Sequence, residues 1–378
     1  MTKLFKTVML MTAAVLLALT FNACKKNDKT TEPTTDTDAV KLAIINDFLD
    51  NTLAPTYTNL ASYTEQLVND LKTLKTDMTQ ANVDNACATF LEARHWWELS
   101  EAFLFGPASD FGIDPHIDSW PLDEDAFNNL MASPSMIAAL DSEDGDVVAG
   151  EQLGNALLGF HGIEYVLFRD GAPRPMAELN NDYMIYSVAV AGDLRNRCFQ
   201  LEVSWLGDNA PASHIEKMEE LELNTTVNGG DNSYGDNMRK AGKAGSTYST
   251  LTQALQSIID GSIDISDEVG TSKIGKPHTG EDPTYVESPY SQKSIIDFHD
   301  NITSVKNSYN TLHNYIKNID SSLDSRVVNA IDNALAKINA MAAPFVLHYS
   351  DPSAGEAMEA CQELSDVLAE AKDAIKDL

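Results

Sequence analysis

The segment GFHGIE at residues 159–164 places an imidazole and a carboxylate three residues apart. Side chains at this spacing lie on one face of a helix, so His161 and Glu164 could hold one metal ion or bind each other. Glu164 also falls between Phe160 and Leu167 on an apolar stripe, where an unpaired carboxylate is costly to bury. The segment therefore predicts either a metal site or a structural His–Glu pair.

Charged residues interrupt a second apolar stripe, which begins at Val83. Arg94 and Glu101 occupy positions at which the matching stripe of the second half of the chain has Ala342 and Tyr349. Burying an unpaired charge costs several kcal/mol, so both residues need partners. They form either an internal Arg–Glu ion pair or part of a functional polar site.

The elements that must position these residues are helices. Apolar residues recur at spacings of three, four or seven, and strand-like alternation is scarce, so we predict an all-α fold. The first half contains four such stripes, and one of them runs continuously from Leu153 to Leu167. The second half predicts helices at about 246–260, 291–320, 324–348 and 354–376. Residues 207–245 and 261–290 are predicted to be loops, because they are rich in Gly, Asn, Asp and Pro.

The two halves of the chain share short patterns. Asp47-Phe48 recurs as Asp297-Phe298, and Asp84-Asn85-Ala86 recurs 248 residues later. Matches in the same order at similar offsets favour duplication. We therefore predict two helical bundles related by internal duplication, at residues 41–215 and 216–378.

The N-terminus predicts a lipoprotein. Lysines precede an apolar run over residues 8–19, and Ala23 stands before Cys24, as at a bacterial lipoprotein cleavage site. We expect a signal peptide over residues 1–23, lipid attachment at Cys24 and a polar tether over 24–40. The alternative is an ordinary secretory peptide. We expect a protein of the cell envelope, lipid-anchored at the outer membrane.

Composition and missing motifs exclude several classes of function. The net charge of −31 excludes a general nucleic-acid binder, which needs a basic face. No H-E-x-x-H, G-x-S-x-G, P-loop or G-x-G-x-x-G pattern occurs. The tract at 106–121 contains Asp114, His116 and Asp118, which could ligate a cation, although we favour an exposed acidic loop.

Four segments together resemble the imelysin family of bacterial envelope proteins, which is marked by a G-x-H-x-x-E motif. They are ARHWWELSEAFLFGP at 93–107, IDSWP at 117–121, GFHGIEYVLF at 159–168 and ESPYSQKSIIDFHDNITSVKNSY at 287–309. The resemblance implies a duplicated all-helical fold and a site around His161 and Glu164, beside the helix that carries Trp97. Some members are described as metallopeptidases and others as iron-uptake proteins. The peptidase assignment fits poorly, because no third ligand or general base is evident in the sequence.

Three functions remain open from the sequence. The leading hypothesis is an envelope lipoprotein that binds iron, or an iron-bearing ligand, for uptake with outer-membrane machinery; the same ligands accept zinc or manganese. The second is a metallopeptidase, and the third is a metal-free binding module in which Arg94 meets an anionic ligand. We expect one common pocket near the contact between the bundles. Its predicted metal ligands are His161, Glu164, Glu101 and Glu98, and its predicted ligand-binding residues are Arg94 and Trp97.

Overall fold

A computed structural model describes residues 38–376, which fold almost entirely into helices. The all-α prediction is confirmed, since the described strands are the antiparallel two-residue pair β1 (Phe168–Arg169) and β2 (Ala172–Pro173). None of the helices within the described range has the length and apolar character needed to cross a membrane. The predicted signal peptide, Cys24 and most of the predicted tether lie outside the described residues.

The helices vary from single turns to 26 residues. In chain order they are α1 (Asp38–Asp47), a π-helical turn (Phe48–Leu53), α2 (Ala54–Thr76), α3 (Gln80–Glu98), α4 (Pro107–Asp110), α5 (Asp114–Ile117), α6 (Glu124–Met131), α7 (Pro134–Leu140), α8 (Gly145–Gln152), α9 (Gly159–Leu167), α10 (Asn181–Leu206), α11 (Ala212–Glu220), α12 (Tyr234–Arg239), α13 (Leu251–Glu268), a second π-helical turn (Val269–Ile274), α14 (Gly275–Thr279), α15 (Ser294–Ile319), α16 (Ser321–Asn339), α17 (Phe345–His348) and α18 (Pro352–Ala374). Short 3₁₀ turns lie at Glu101–Phe103, Asn155–Leu157, Met176–Glu178, Gly207–Asn209 and Val227–Gly229.

Side-chain caps fix where the long helices begin. The Thr79 hydroxyl accepts a hydrogen bond from the backbone N–H of Asn82 at the start of α3, at 3.3 Å. The side-chain oxygen Oδ1 of Asn180 accepts one from the N–H of Tyr183 at the start of α10, at 2.9 Å. Each cap satisfies an N–H group that has no partner within its helix, and this sets the register of the residues that follow.

Helices from both halves of the chain share one hydrophobic core. In the first half α2 packs against α3 and α10, and in the second half α18 packs against α13 and α16. The halves meet where α15 contacts α3 and where α13 contacts the turn Glu101–Phe103. The predicted boundary after residue 215 falls inside α11. The division into two bundles and their origin by duplication stay predictions.

Two predicted boundaries were wrong in the first half. The stripe from Leu153 to Leu167 is not one helix, because α8 ends at Gln152 and α9 begins at Gly159. Gly159 has φ +65°, which lies outside the α-helical region and interrupts the helix there. Glu101 lies on a 3₁₀ turn beyond the end of α3, although its side chain is buried as its position on the stripe predicted.

The predicted loops were wrong in part. Residues 261–279 are helical, because α13 continues through the second π-helical turn into α14. A Cβ atom on Gly261 would lie 2.2 Å from the carbonyl oxygen of Ala102, so this glycine allows close helix packing. Residues 207–245 contain α11 and α12. The prolines and the GKPHTGEDP stretch predict a loop over residues 261–290, but Pro277 lies within the short helix α14.

Candidate functional site

A cluster of charged side chains lies buried where the two halves of the chain meet. None of its members is more than 8% exposed. The members of this buried charged cluster are Arg94, Glu98, Glu101, Asp118, His161, Glu164, Lys273, Glu287 and Asp297. The elements that carry them are, in chain order, α3 and the 3₁₀ turn that follows it, the segment that follows α5, the helix α9, the second π-helical turn, and α15 with the segment that precedes it.

Arg94 faces four carboxylates. Its guanidinium lies 2.5 Å from a carboxylate oxygen of Glu98 and 2.5 Å from one of Glu287, and it also pairs with Asp118. The Nε atom is 3.9 Å from Asp297. The interpretation of an internal pair between Arg94 and Glu101 was therefore wrong, because the acidic partners of Arg94 are these four residues.

Asp118 is the central acceptor of the cluster. Its carboxylate accepts hydrogen bonds from Trp97 Nε1 at 2.8 Å and from Arg94, and it lies 2.9 Å from His161 Nε2. Burial alone would raise the pKa of Asp118, but Arg94 and His161 hold it far below the usual range. Asp118 therefore stays ionised, and it links α3 to α9.

His161 and Glu164 contact each other across one turn of α9. His161 Nδ1 lies 3.4 Å from Glu164 Oε2, and the other carboxylate oxygen of Glu164 accepts the backbone N–H of Ser291 at 2.7 Å. Burial alone would lower the pKa of His161, but its bonds to Asp118 and Glu164 raise it to about 9. In the metal-free protein the imidazole is therefore protonated at neutral pH and must lose that proton before it can ligate a metal.

The glycines of the GFHGIE segment bring α9 close to its neighbours. A Cβ atom on Gly159 would lie 2.0 Å from the carbonyl oxygen of Ile117, which precedes Asp118. A Cβ atom on Gly162 would lie 2.2 Å from the hydroxyl of Tyr186 on α10. Larger residues would clash with these atoms, so both glycines allow the close packing of α9, the helix that carries His161.

Lys273 is the second permanent cation of the cluster. Its ammonium nitrogen lies 3.1 Å from Glu287 Oε1, 3.7 Å from Glu101 Oε1 and 3.8 Å from Glu98 Oε2. It also lies 5.3 Å from the centre of the Trp120 ring, in reach of a cation–π contact. The partner that Glu101 needs is thus a lysine from the second half of the chain.

The cluster contains more acidic than basic groups. Burial raises the pKa of Glu98 and of Glu101 well above the usual range, although Arg94 and Lys273 partly offset it. Burial also raises the pKa of Asp297 to about 7. Because burial outweighs the attraction of the few cations, Glu98 and Glu101 favour their protonated forms in the absence of another cation.

The donor atoms suit a bound cation. Glu287 Oε2 and Asp297 Oδ2 are buried and accept no hydrogen bond. Asp118, His161 and Glu287 each offer a ligand atom within 4.8 Å of the others, and so do Glu98, Glu101 and Asp118. The two three-ligand sets share Asp118, and each supplies the oxygen-rich donors that fit a hard or borderline metal ion.

The structure brings together every predicted site residue that it describes. His161, Glu164, Glu101, Glu98, Arg94 and Trp97 all belong to the cluster or contact it. Their roles as metal ligands or ligand-binding residues stay predictions. Glu164 is already engaged by Ser291 and His161 and is absent from both three-ligand sets.

Sequence reasoning missed Asp118, Lys273, Glu287 and Asp297 as site residues. For Asp118 the preferred interpretation of an exposed acidic loop was wrong, since the residue is only 5% exposed. Lys273 fell inside a predicted loop. Asp297 belongs to the repeated Asp-Phe pattern and Glu287 to the fourth segment of the family resemblance, so signals existed for these two.

Comparisons with known proteins identify the family of the chain and agree with its helical fold. A family model described as Imelysin matches residues 53–371. Iron-regulated protein A of Synechococcus elongatus is 29% identical over 266 residues, which cover 70% of this chain and 63% of that relative. The chain thus spans less than two thirds of the length of this relative.

Two crystal structures are similar over nearly the whole chain. One, provisionally named an iron-regulated protein A precursor, is from Parabacteroides distasonis. It is 26% identical to this chain with a TM-score of 0.77, and the match covers 90% of this chain and 96% of that one. An imelysin-like protein from Psychrobacter arcticum is 13% identical, has a TM-score of 0.59 and covers 90% and 95%. The second likeness concerns the fold alone.

Proposed function

The chain belongs to the imelysin family, and on this premise we propose that it binds a metal cation, iron foremost, in the buried charged cluster. The observation that carries the proposal is the surplus of buried carboxyl groups around Asp118, which two three-ligand sets share. A cation of charge two or three would replace the protons that those carboxyl groups otherwise hold.

The donor set supports iron as the first candidate. The candidate ligands are carboxylates with a single imidazole, His161, and no thiol, a combination that suits iron or manganese and also accepts zinc. The names of the relatives from Synechococcus and Parabacteroides refer to regulation by iron, which favours an iron-related role for this chain as well. Asp118 would hold the ion together with Glu98 and Glu101, or with His161 and Glu287.

The two other functions have less support. A peptidase must admit a polypeptide to its metal, whereas every member of the cluster is at most 8% exposed. A metal-free module would use Arg94 for an anion, yet the guanidinium already faces Glu98, Asp118 and Glu287. Another anion at that place would meet like charges.

We also propose that the protein acts in iron uptake from a lipid anchor on Cys24 at the outer membrane, together with uptake machinery there. The N-terminal sequence supports the anchor, and the names of the two iron-regulated relatives favour the iron-related role. Wild-type protein should partition with membranes and carry a lipid, whereas a Cys24→Ser variant should carry none. Recovery of unmodified wild-type protein in the soluble envelope fraction would contradict the anchor.

The metal proposal is tested by anaerobic calorimetric titration of chelator-treated protein with Fe(II), Mn(II) and Zn(II). We expect wild-type protein to bind and Asp118→Asn to lose at least tenfold in affinity. Glu202→Gln is a matched control, because Glu202 is a buried carboxylate that pairs with His214 outside the cluster, and it should bind as wild type does. Equal affinity in all three proteins would contradict the proposed site.

A further inference from the structure

Lys273 is an unusual feature of the buried charged cluster. It is 1% exposed, although lysine is almost never fully buried. The residue lies on the π-helical turn Val269–Ile274, a type of turn that is rare and often lies at functional sites. Nothing in a purely structural ion pair requires an ammonium group to be held among several carboxylates at this depth.

The ammonium of Lys273 contacts both three-ligand sets. It lies 3.1 Å from Glu287, which belongs to one set, and 3.7 and 3.8 Å from Glu101 and Glu98, which belong to the other. Carboxylate oxygens bind divalent ions at about 2.0–2.6 Å. An ion held by Glu98 and Glu101 would therefore lie within a few Å of the ammonium, where two positive charges repel strongly.

Lys273 also has a carboxylate to move toward. Glu268, five residues earlier, is half-buried and close enough to interact with Lys273 electrostatically. The hydrogen bonds of a π turn run between residues five apart, which brings these two positions onto one face of the helix. The flexible four-carbon stem of lysine allows the ammonium to shift while its backbone stays in place.

We propose that Lys273 is a displaceable internal counter-ion: its ammonium lies between the two ligand sets in the metal-free protein, and a bound metal cation moves it toward Glu268. This inference rests on the proposed function. A displaceable Lys273 also lets the site select ions by charge, because a monovalent ion would only exchange one positive charge for another. An ion of charge two or three gains additional attraction from the same carboxylates.

Calorimetric titration with Mn(II) of wild type, Lys273→Met and Lys41→Met tests the proposal. Methionine keeps most of the length of the side chain and removes the charge. Lys41 is the matched control, since it is 3% exposed and donates to the Thr252 hydroxyl away from the cluster. We expect Lys273→Met to bind Mn(II) at least tenfold more tightly than wild type and Lys41→Met to bind as wild type does. Equal or weaker binding by Lys273→Met would overturn the role of Lys273.

A measurement on wild-type protein keeps the test valid if Lys273→Met fails to fold. An amine-acylating reagent followed by peptide mass spectrometry reports whether Lys273 is accessible. We expect slow acylation without metal and faster acylation with saturating Mn(II). Unchanged protection with Mn(II) bound would overturn displacement while leaving metal binding in place. If wild-type protein binds no Mn(II), Fe(II) or Zn(II), the proposed function itself fails, and the inference on Lys273 fails with it.

Discussion

Replacing Asp118 with asparagine should destabilise the protein strongly. The substitution keeps the shape of the side chain but removes the charge that pairs with Arg94, and it disturbs the acceptor of Trp97 Nε1 and His161 Nε2. Removing one partner of a buried ion pair lowers the free energy of unfolding by about 3–5 kcal/mol, because the other charge stays buried without its partner. Glu98 and Glu287 still face Arg94, which places the expected loss near the lower end of that range.

The control for this prediction is Asp324→Asn. Asp324 is also buried, and its carboxylate accepts a hydrogen bond from Tyr309 at 3.1 Å and lies 2.7 Å from His313 Nδ1. Among the described residues no arginine pairs with it. Losing part of such a hydrogen-bonded arrangement costs about 1–2 kcal/mol. Urea unfolding at pH 7, followed by circular dichroism, measures both variants. A smaller loss of stability in Asp118→Asn than in Asp324→Asn would refute the central role of Asp118.

Three further predictions concern pH, protons and packing. Because the pKa of His161 is raised to about 9, its contribution to stability should be complete below pH 6.5 and should fade as the pH rises to about 9. The difference in unfolding free energy between wild type and His161→Gln, measured by urea unfolding, should therefore shrink between pH 6 and 9.5. A constant difference would contradict this. Because the pKa values of Glu98 and Glu101 are raised, Mn(II) binding should release protons into weakly buffered solution, and the affinity for Mn(II) should increase from pH 6 to 8. Binding without proton release would count against these two residues as ligands. Gly162→Ala should destabilise the protein by about 1–3 kcal/mol, because the added methyl group meets the Tyr186 hydroxyl. In a double-mutant cycle, Tyr186→Phe should recover part of that loss. Additive effects of the two substitutions would show that this contact is not the cause.

Apolar periodicity predicted the long helices because their buried faces form continuous stripes. Phe90 and Trp97 lie on the buried face of α3, as their spacing indicated. The break before α9 was missed because Leu153 and Leu157 happen to continue the spacing of Phe160. The helix through residues 261–279 was missed because the prolines and the GKPHTGEDP stretch of residues 261–290 are typical of a loop.

The candidate site could be predicted only where a charge interrupts an apolar stripe. Arg94, Glu101 and Glu164 stand among apolar neighbours at helical spacing, so their burial could be inferred. Asp118 lies in a short acidic segment and Lys273 in a polar stretch, and neither has a periodic neighbourhood that marks it as buried. Their places in the cluster depend on tertiary packing between distant segments, which periodicity does not report.

The most direct test of the central claim is anomalous diffraction from crystals of the full chain soaked anaerobically with Fe(II). We expect an anomalous difference peak within bonding distance of Asp118, with further ligands from Glu98 and Glu101 or from His161 and Glu287. A cluster without such a peak at an Fe(II) concentration that saturates the protein in solution would contradict the claim that these buried carboxylates form a metal site.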